Sequence, residues 1–103
     1  MDQKRIDELK VRIAKFPQNV LDRFVLSKLY YEAGAWQETI QESQEILKLK
    51  ADYLVVYVQL GDALIKVGKK EEAKEILQKG LQLAIDQRHQ GPKEEIERLI
   101  KGN

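Results

Sequence analysis

The stretch from Leu54 to Leu83, LVVYVQLGDALIKVGKKEEAKEILQKGLQL, decides the fold. Apolar or small residues recur at Leu54, Tyr57, Val58, Gly61, Leu64 and Ile65, spacings that mark one face of a helix. The run Leu54–Val58 is rich in valine and in isolation would suit a buried strand. The stripe continues for two more turns, however, and no turn residue follows Val58. It is a helix. A second stripe runs through Ala73, Ile76, Leu77, Gly80, Leu81 and Ala84, with Glu71 and Glu72 in its first turn, where the helix dipole favours acids. Gly68 sits between the stripes, at the place where a left-handed, helix-ending conformation calls for glycine. The stretch therefore reads as two helices joined by a tight turn at Gly68-Lys69.

A weaker copy lies immediately upstream. Gly34 precedes Gly68 by 34 residues, and the two segments align without a gap. Leu26 corresponds to Leu60, Tyr30 to Leu64, Leu47 to Leu81 and Leu49 to Leu83. Pro17-Gln18-Asn19 falls one period back, at a junction. A helix-turn-helix period of about 34 residues is that of the tetratricopeptide repeat. The second copy resembles that family in Tyr57-x2-Leu60-Gly61-x2-Leu64, Gly68, Ala73-x3-Leu77 and Gly80-Leu81-x-Leu83. The first matches through Leu26-Ser27-x2-Tyr30, Gly34-Ala35-Trp36 and Ile46-Leu47-x-Leu49. It departs at Arg23, where an aromatic is usual, at Thr39, where alanine is usual, and at Ser43, where a large apolar residue is usual. The resemblance covers residues 17 to 83 and looks like that of a small stand-alone bacterial member. It implies an all-α stack of antiparallel helix-turn-helix repeats.

The flanks read as covers for that stack. Residues 1–16 form an N-terminal capping helix with Asp2 as N-cap and a stripe of Ile6, Leu9, Ile13 and Phe16, stopped by Pro17. Repeat one spans 20–53, with Asn19 as its cap and Glu38, Glu42 and Glu45 pointing outward. Repeat two spans 54–87, with Asp52 as the expected cap. The segment Asp86–Pro92 reads as a break, and residues 92–101 as a C-terminal capping helix with Pro92 at its first position and Gly102 just past its end. The whole is one domain of about six helices.

Composition narrows the function. With 34% charged and 43% apolar residues, the chain suits a globular helical protein rather than a disordered one. Its 18 basic and 17 acidic residues leave a net charge of +1, too little to attract nucleic acid or anionic lipid. No apolar run approaches the length of a membrane span, and none behind Met1 resembles a signal peptide. The expected compartment is the cytoplasm. The lone histidine, His89, has no second histidine or cysteine to share a metal with, and no cysteine exists. The carboxylates share outward faces with lysines, as Glu75 does with Lys79, rather than facing one another in a pocket. No phosphate-cradling motif is present. The chain is expected to be no enzyme and to hold no metal or cofactor.

What remains is surplus apolar surface. In tetratricopeptide stacks the first helix of each repeat lines a concave groove that takes peptides or helices. The resemblance carries the groove positions onto Leu21, Phe24, Lys28 and Tyr31 of repeat one and Val55, Val58, Asp62 and Ile65 of repeat two. Most of these are apolar or aromatic, which suits an apolar or amphipathic segment oriented by Lys28 and Asp62. Phe24 and Lys28 stand where the family's carboxylate clamp has lysine and asparagine, which argues against a chaperone tail as ligand. The expectation is a protein-binding adaptor of unspecified partner. The competing expectation is a scaffold that pairs with a second copy, as a homodimer, through the same surface.

Overall fold

The computed structural model describes residues 2–102. Among them are six helices and no strand: α1 (Gln3–Lys15), α2 (Val20–Glu32), α3 (Trp36–Leu49), α4 (Leu54–Lys66), α5 (Lys70–Asp86) and α6 (Gln90–Gly102). Each helix packs on the next, and α4 also touches α2 on one side and α6 on the other. This places α2, α4 and α6 in one layer, with α3 and α5 behind them.

The core follows the stripes read from the sequence and lies at successive helix junctions. Ile6, Leu9 and Ile13 of α1 bury against Leu26 and Tyr30 of α2. Ile40 of α3 joins Leu60, Ala63 and Leu64 of α4 and Ala73 of α5. Leu54 and Val58 of α4, Leu77 and Ala84 of α5 and Ile96 of α6 form the last cluster. Burying one such aliphatic side chain is worth roughly 1.5–3 kcal/mol, so each junction stabilises its neighbours considerably.

Two glycines set the closeness of this packing. A Cβ on Gly61 would lie 2.6 Å from Leu77 Cγ, and one on Gly80 would lie 2.8 Å from Tyr57 Cβ. Leu77 thus fills the space that Gly61 leaves open. In repeat one the equivalent pair is Ser27 and Ser43, both fully buried. Two small polar side chains there replace a glycine and a leucine.

The 34-residue period extends to hydrogen bonds. Tyr57 donates its hydroxyl to the Ala51 carbonyl at 2.6 Å. One period earlier, Arg23 donates Nε–H to the Pro17 carbonyl at 2.9 Å. Arg23, one of the departures from the family pattern, makes the bond that the aromatic makes in the next repeat. Its guanidinium also lies 3.6 Å from Glu42 Oε1. Glu42 is consequently half-buried rather than outward-facing, as its spacing had suggested.

All three helix-to-helix turns that follow α2, α4 and α5 share one geometry. The amides of Gly34 and Ala35 bond to the Tyr31 and Tyr30 carbonyls, those of Gly68 and Lys69 to Ile65 and Leu64, and those of Arg88 and His89 to Ile85 and Ala84. This is the paired bonding of a Schellman cap. Gly34 and Gly68 take φ of 73° and 84°, and Arg88 takes 58° without being glycine.

Three boundaries differ from expectation. The last helix begins at Gln90, not Pro92, and runs through Gly102. The break is the turn at Arg88, and Pro92 is accommodated because amides in the first turn have no intrahelical partner to lose. Asp52 does not cap α4; Tyr53 holds that position without a side-chain cap bond, and Asp52 instead pairs with Lys50 at 3.1 Å. Asp2 and Asn19 do cap, accepting from the amides of Arg5 and Asp22.

Candidate binding groove on the layer of first helices

The residues expected to line the groove are distributed unequally. Leu21 and Val55, equivalent positions at the starts of α2 and α4, are 65% and 41% exposed. Lys28 is exposed, and Phe24 and Tyr31 are half-buried. Phe24 stacks on Tyr53 with ring centroids 5.2 Å apart, so it is anchored across the repeat boundary while keeping one edge open. Val58 is only 5% exposed and lies beneath α6 in the last core cluster, with Ile65 packed against its edge. The C-terminal helix therefore covers Val58 but leaves Val55 open, because Ile96, Leu99 and Ile100 need a partner face and α5 and α4 together supply it.

Asp62 is occupied within the chain. Its Oδ2 accepts the Tyr31 hydroxyl at 2.6 Å, and its Oδ1 lies 3.5 Å from Lys66 Nζ. Burial, reinforced by the bond to Asp62, pushes the Tyr31 phenol well above the usual tyrosine range. Lys66 Nζ also stands 5.9 Å from the centre of the Trp36 ring, whose edge meets Tyr31. The group ties α2 to α4 and leaves Lys28 as the polar residue of the expected set that is open to a ligand. Deeper in the same seam, Gln59 donates to Ser27 Oγ at 3.3 Å.

The open part of the layer is a depression of about 280 Å³ lined by Leu21, Phe24, Val25, Lys28, Leu29 and Glu32 of α2 and, from α1, by Arg5. Val25, Leu29, Glu32 and Arg5 were not among the expected residues. The signal for Val25 is present in the sequence: Val20, Leu21, Phe24, Val25, Leu26, Leu29, Tyr30 and Tyr31 cover more of α2 than one buried face needs. Arg5 has no such signal, since its position depends on how α1 crosses α2. His89 lies in the last turn, remote in sequence from these residues, and among the described residues no group of three or more histidine and carboxylate side chains is placed to hold a metal.

A family model of the tetratricopeptide repeat matches residues 30–90, more than half of the chain. The chain is a tetratricopeptide-repeat protein. Proteins with this repeat are protein-interaction scaffolds. The solution structure of BPP2914 from Bordetella parapertussis superposes with a TM-score of 0.81 at 24% identity, covering 93% of this chain and 84% of that one. A structure of MamA (MSR-1, C2) gives 0.69 at 21% identity, covering 93% of this chain and 62% of MamA. At these identities the likeness is one of fold. No curated protein matches the chain. No helix among the described residues of this tetratricopeptide-repeat chain is long and apolar enough to cross a membrane.

Proposed function

We propose that the protein is an adaptor that binds a helical or extended segment of a partner protein on the repeat-one side of the groove. The observation that carries this reading is the exposure of Leu21 beside the half-open ring of Phe24, in a depression rimmed by Arg5, Lys28 and Glu32. An exposed leucine beside a half-open aromatic ring forms an apolar patch of the kind that marks an interaction site. Arg5, Lys28 and Glu32 give the rim both signs of charge, which favours a ligand that carries complementary charges beside its apolar anchor. Asp62 acts from below, tying α4 to α2 through Tyr31, while Val58 and Ile65 pack in the cluster under α6.

Affinity capture from a lysate tests this, comparing the wild type with Leu21→Glu and with Val55→Glu. Both sites are exposed, so both variants are expected to keep the wild-type circular dichroism spectrum. A partner retained by the wild type and lost by Leu21→Glu supports the groove. Equal retention by all three removes it.

A further inference from the structure

A second surface lies on the opposite face, between α3 and α5. An open depression of about 470 Å³ is walled there by Leu47 and Ile76, which are half-buried, with Leu60 of α4 at its base. Its α5 edge carries Glu72, Glu75 and Lys79. The acids sit toward the start of the helix and the lysine beyond them; Glu72 and Lys79 are seven residues, or about 10 Å, apart. Among the described residues these three enter no ion pair within the chain.

The first helix carries the complement of this pattern. Val11 is 71% exposed, more than any other large apolar side chain among the described residues. It stands on the side of α1 away from the buried stripe of Ile6, Leu9 and Ile13. On the same outer side, Glu8 precedes it by one turn and Lys15 follows by one turn, again seven residues apart. An acid, an apolar knob and a base thus project from α1 at the spacing that the acid, apolar cleft and base present along α5.

We propose that a second copy of the chain docks here: the outer face of α1 enters the depression between α3 and α5, with Val11 between Leu47 and Ile76. The charges select one direction. With α1 antiparallel to α5, Glu8 meets Lys79 and Lys15 meets Glu72; the parallel arrangement would set like charges together. The contact joins two different surfaces, so each copy keeps a free α1 and a free depression, and association continues past the dimer. One helix face buries less than a standard stable interface, so association is weak and appears at high concentration. This contact does not involve the groove around Leu21.

Sedimentation velocity on the full chain, from micromolar to millimolar concentration, reads the contact directly. The wild type is expected to gain mass beyond a dimer, and Val11→Glu to remain monomeric throughout. Glu72→Lys and Lys15→Glu should each weaken association by about tenfold, equivalent to about 1.4 kcal/mol. The two reversals combined should restore it. All three residues are exposed, so helicity is expected to persist in every variant. A wild type that stays monomeric at millimolar concentration overturns the proposal. So does association unchanged by Val11→Glu, failure of the double reversal to rescue, or association lost in Leu21→Glu but kept in Val11→Glu, which would move self-contact to the groove.

Discussion

Ser43 and Leu77 occupy the same position of the two repeats, and both side chains are fully buried. Leu77 fills the space over Gly61, whereas the Ser43 hydroxyl has no hydrogen-bond partner among the described residues. A buried, unpaired hydroxyl costs about 1–3 kcal/mol, and serine is also a poorer helix former than alanine. Ser43→Ala is therefore expected to stabilise the protein by about 1 kcal/mol, which for a domain of this size raises Tm by roughly 4–8 °C. Differential scanning calorimetry measures this. Glu42 offers a second test. Burial raises its carboxyl above the usual range, and the facing Arg23 only partly offsets this. A raised carboxyl means that the folded state binds the proton more tightly than the unfolded one. Its contribution is thus full below the unfolded value of about 4.5 and is lost as pH rises through the folded value. Glu42→Gln lacks this loss. Its stability relative to wild type should increase from pH 4 to pH 7 in urea titrations; a difference independent of pH would refute the assignment.

At the scale of elements, the three Schellman turns carry the antiparallel reversals, and two of them hold glycine where φ is positive. Arg88 holds the third with a side chain that makes the left-handed region costly by roughly 1–2 kcal/mol. Arg88→Gly removes that cost but adds freedom to the unfolded chain, for a net gain on the order of 0.5–1 kcal/mol. A chemical denaturation midpoint that falls instead would show that the Arg88 side chain is needed. This turn also explains why the last boundary differs from the one the sequence suggests. Gly91-Pro92 is the more conspicuous breaker, yet the chain reverses earlier, at a residue whose type gives no sign of it. The turns at Gly34 and Gly68, by contrast, were legible because glycine stands at the position that requires it. The substitution of Arg23 for an aromatic was visible in the sequence, but its bond to Pro17 was not, since that depends on where the junction carbonyl points.

Across the whole molecule, the period of 34 residues and the apolar stripes carried the architecture, because the repeat dictates which neighbours each stripe buries against. The groove was only half legible. The positions that face a ligand in one repeat are the positions a terminal helix covers in the next, and stripe content alone does not separate the two cases. Val58 and Leu21 look alike in sequence, but one lies under Ile96 and its neighbours while the other is open. That asymmetry confines the proposed binding surface to repeat one and makes α6 the seal of repeat two. Methyl NMR with a soluble paramagnetic probe tests it most directly. The methyl signals of Leu21 and Val55 are expected to broaden strongly, and those of Val58 and Ile96 to be spared. Val58 broadened as much as Leu21 would mean that α6 leaves the stack and that the groove runs open across both repeats.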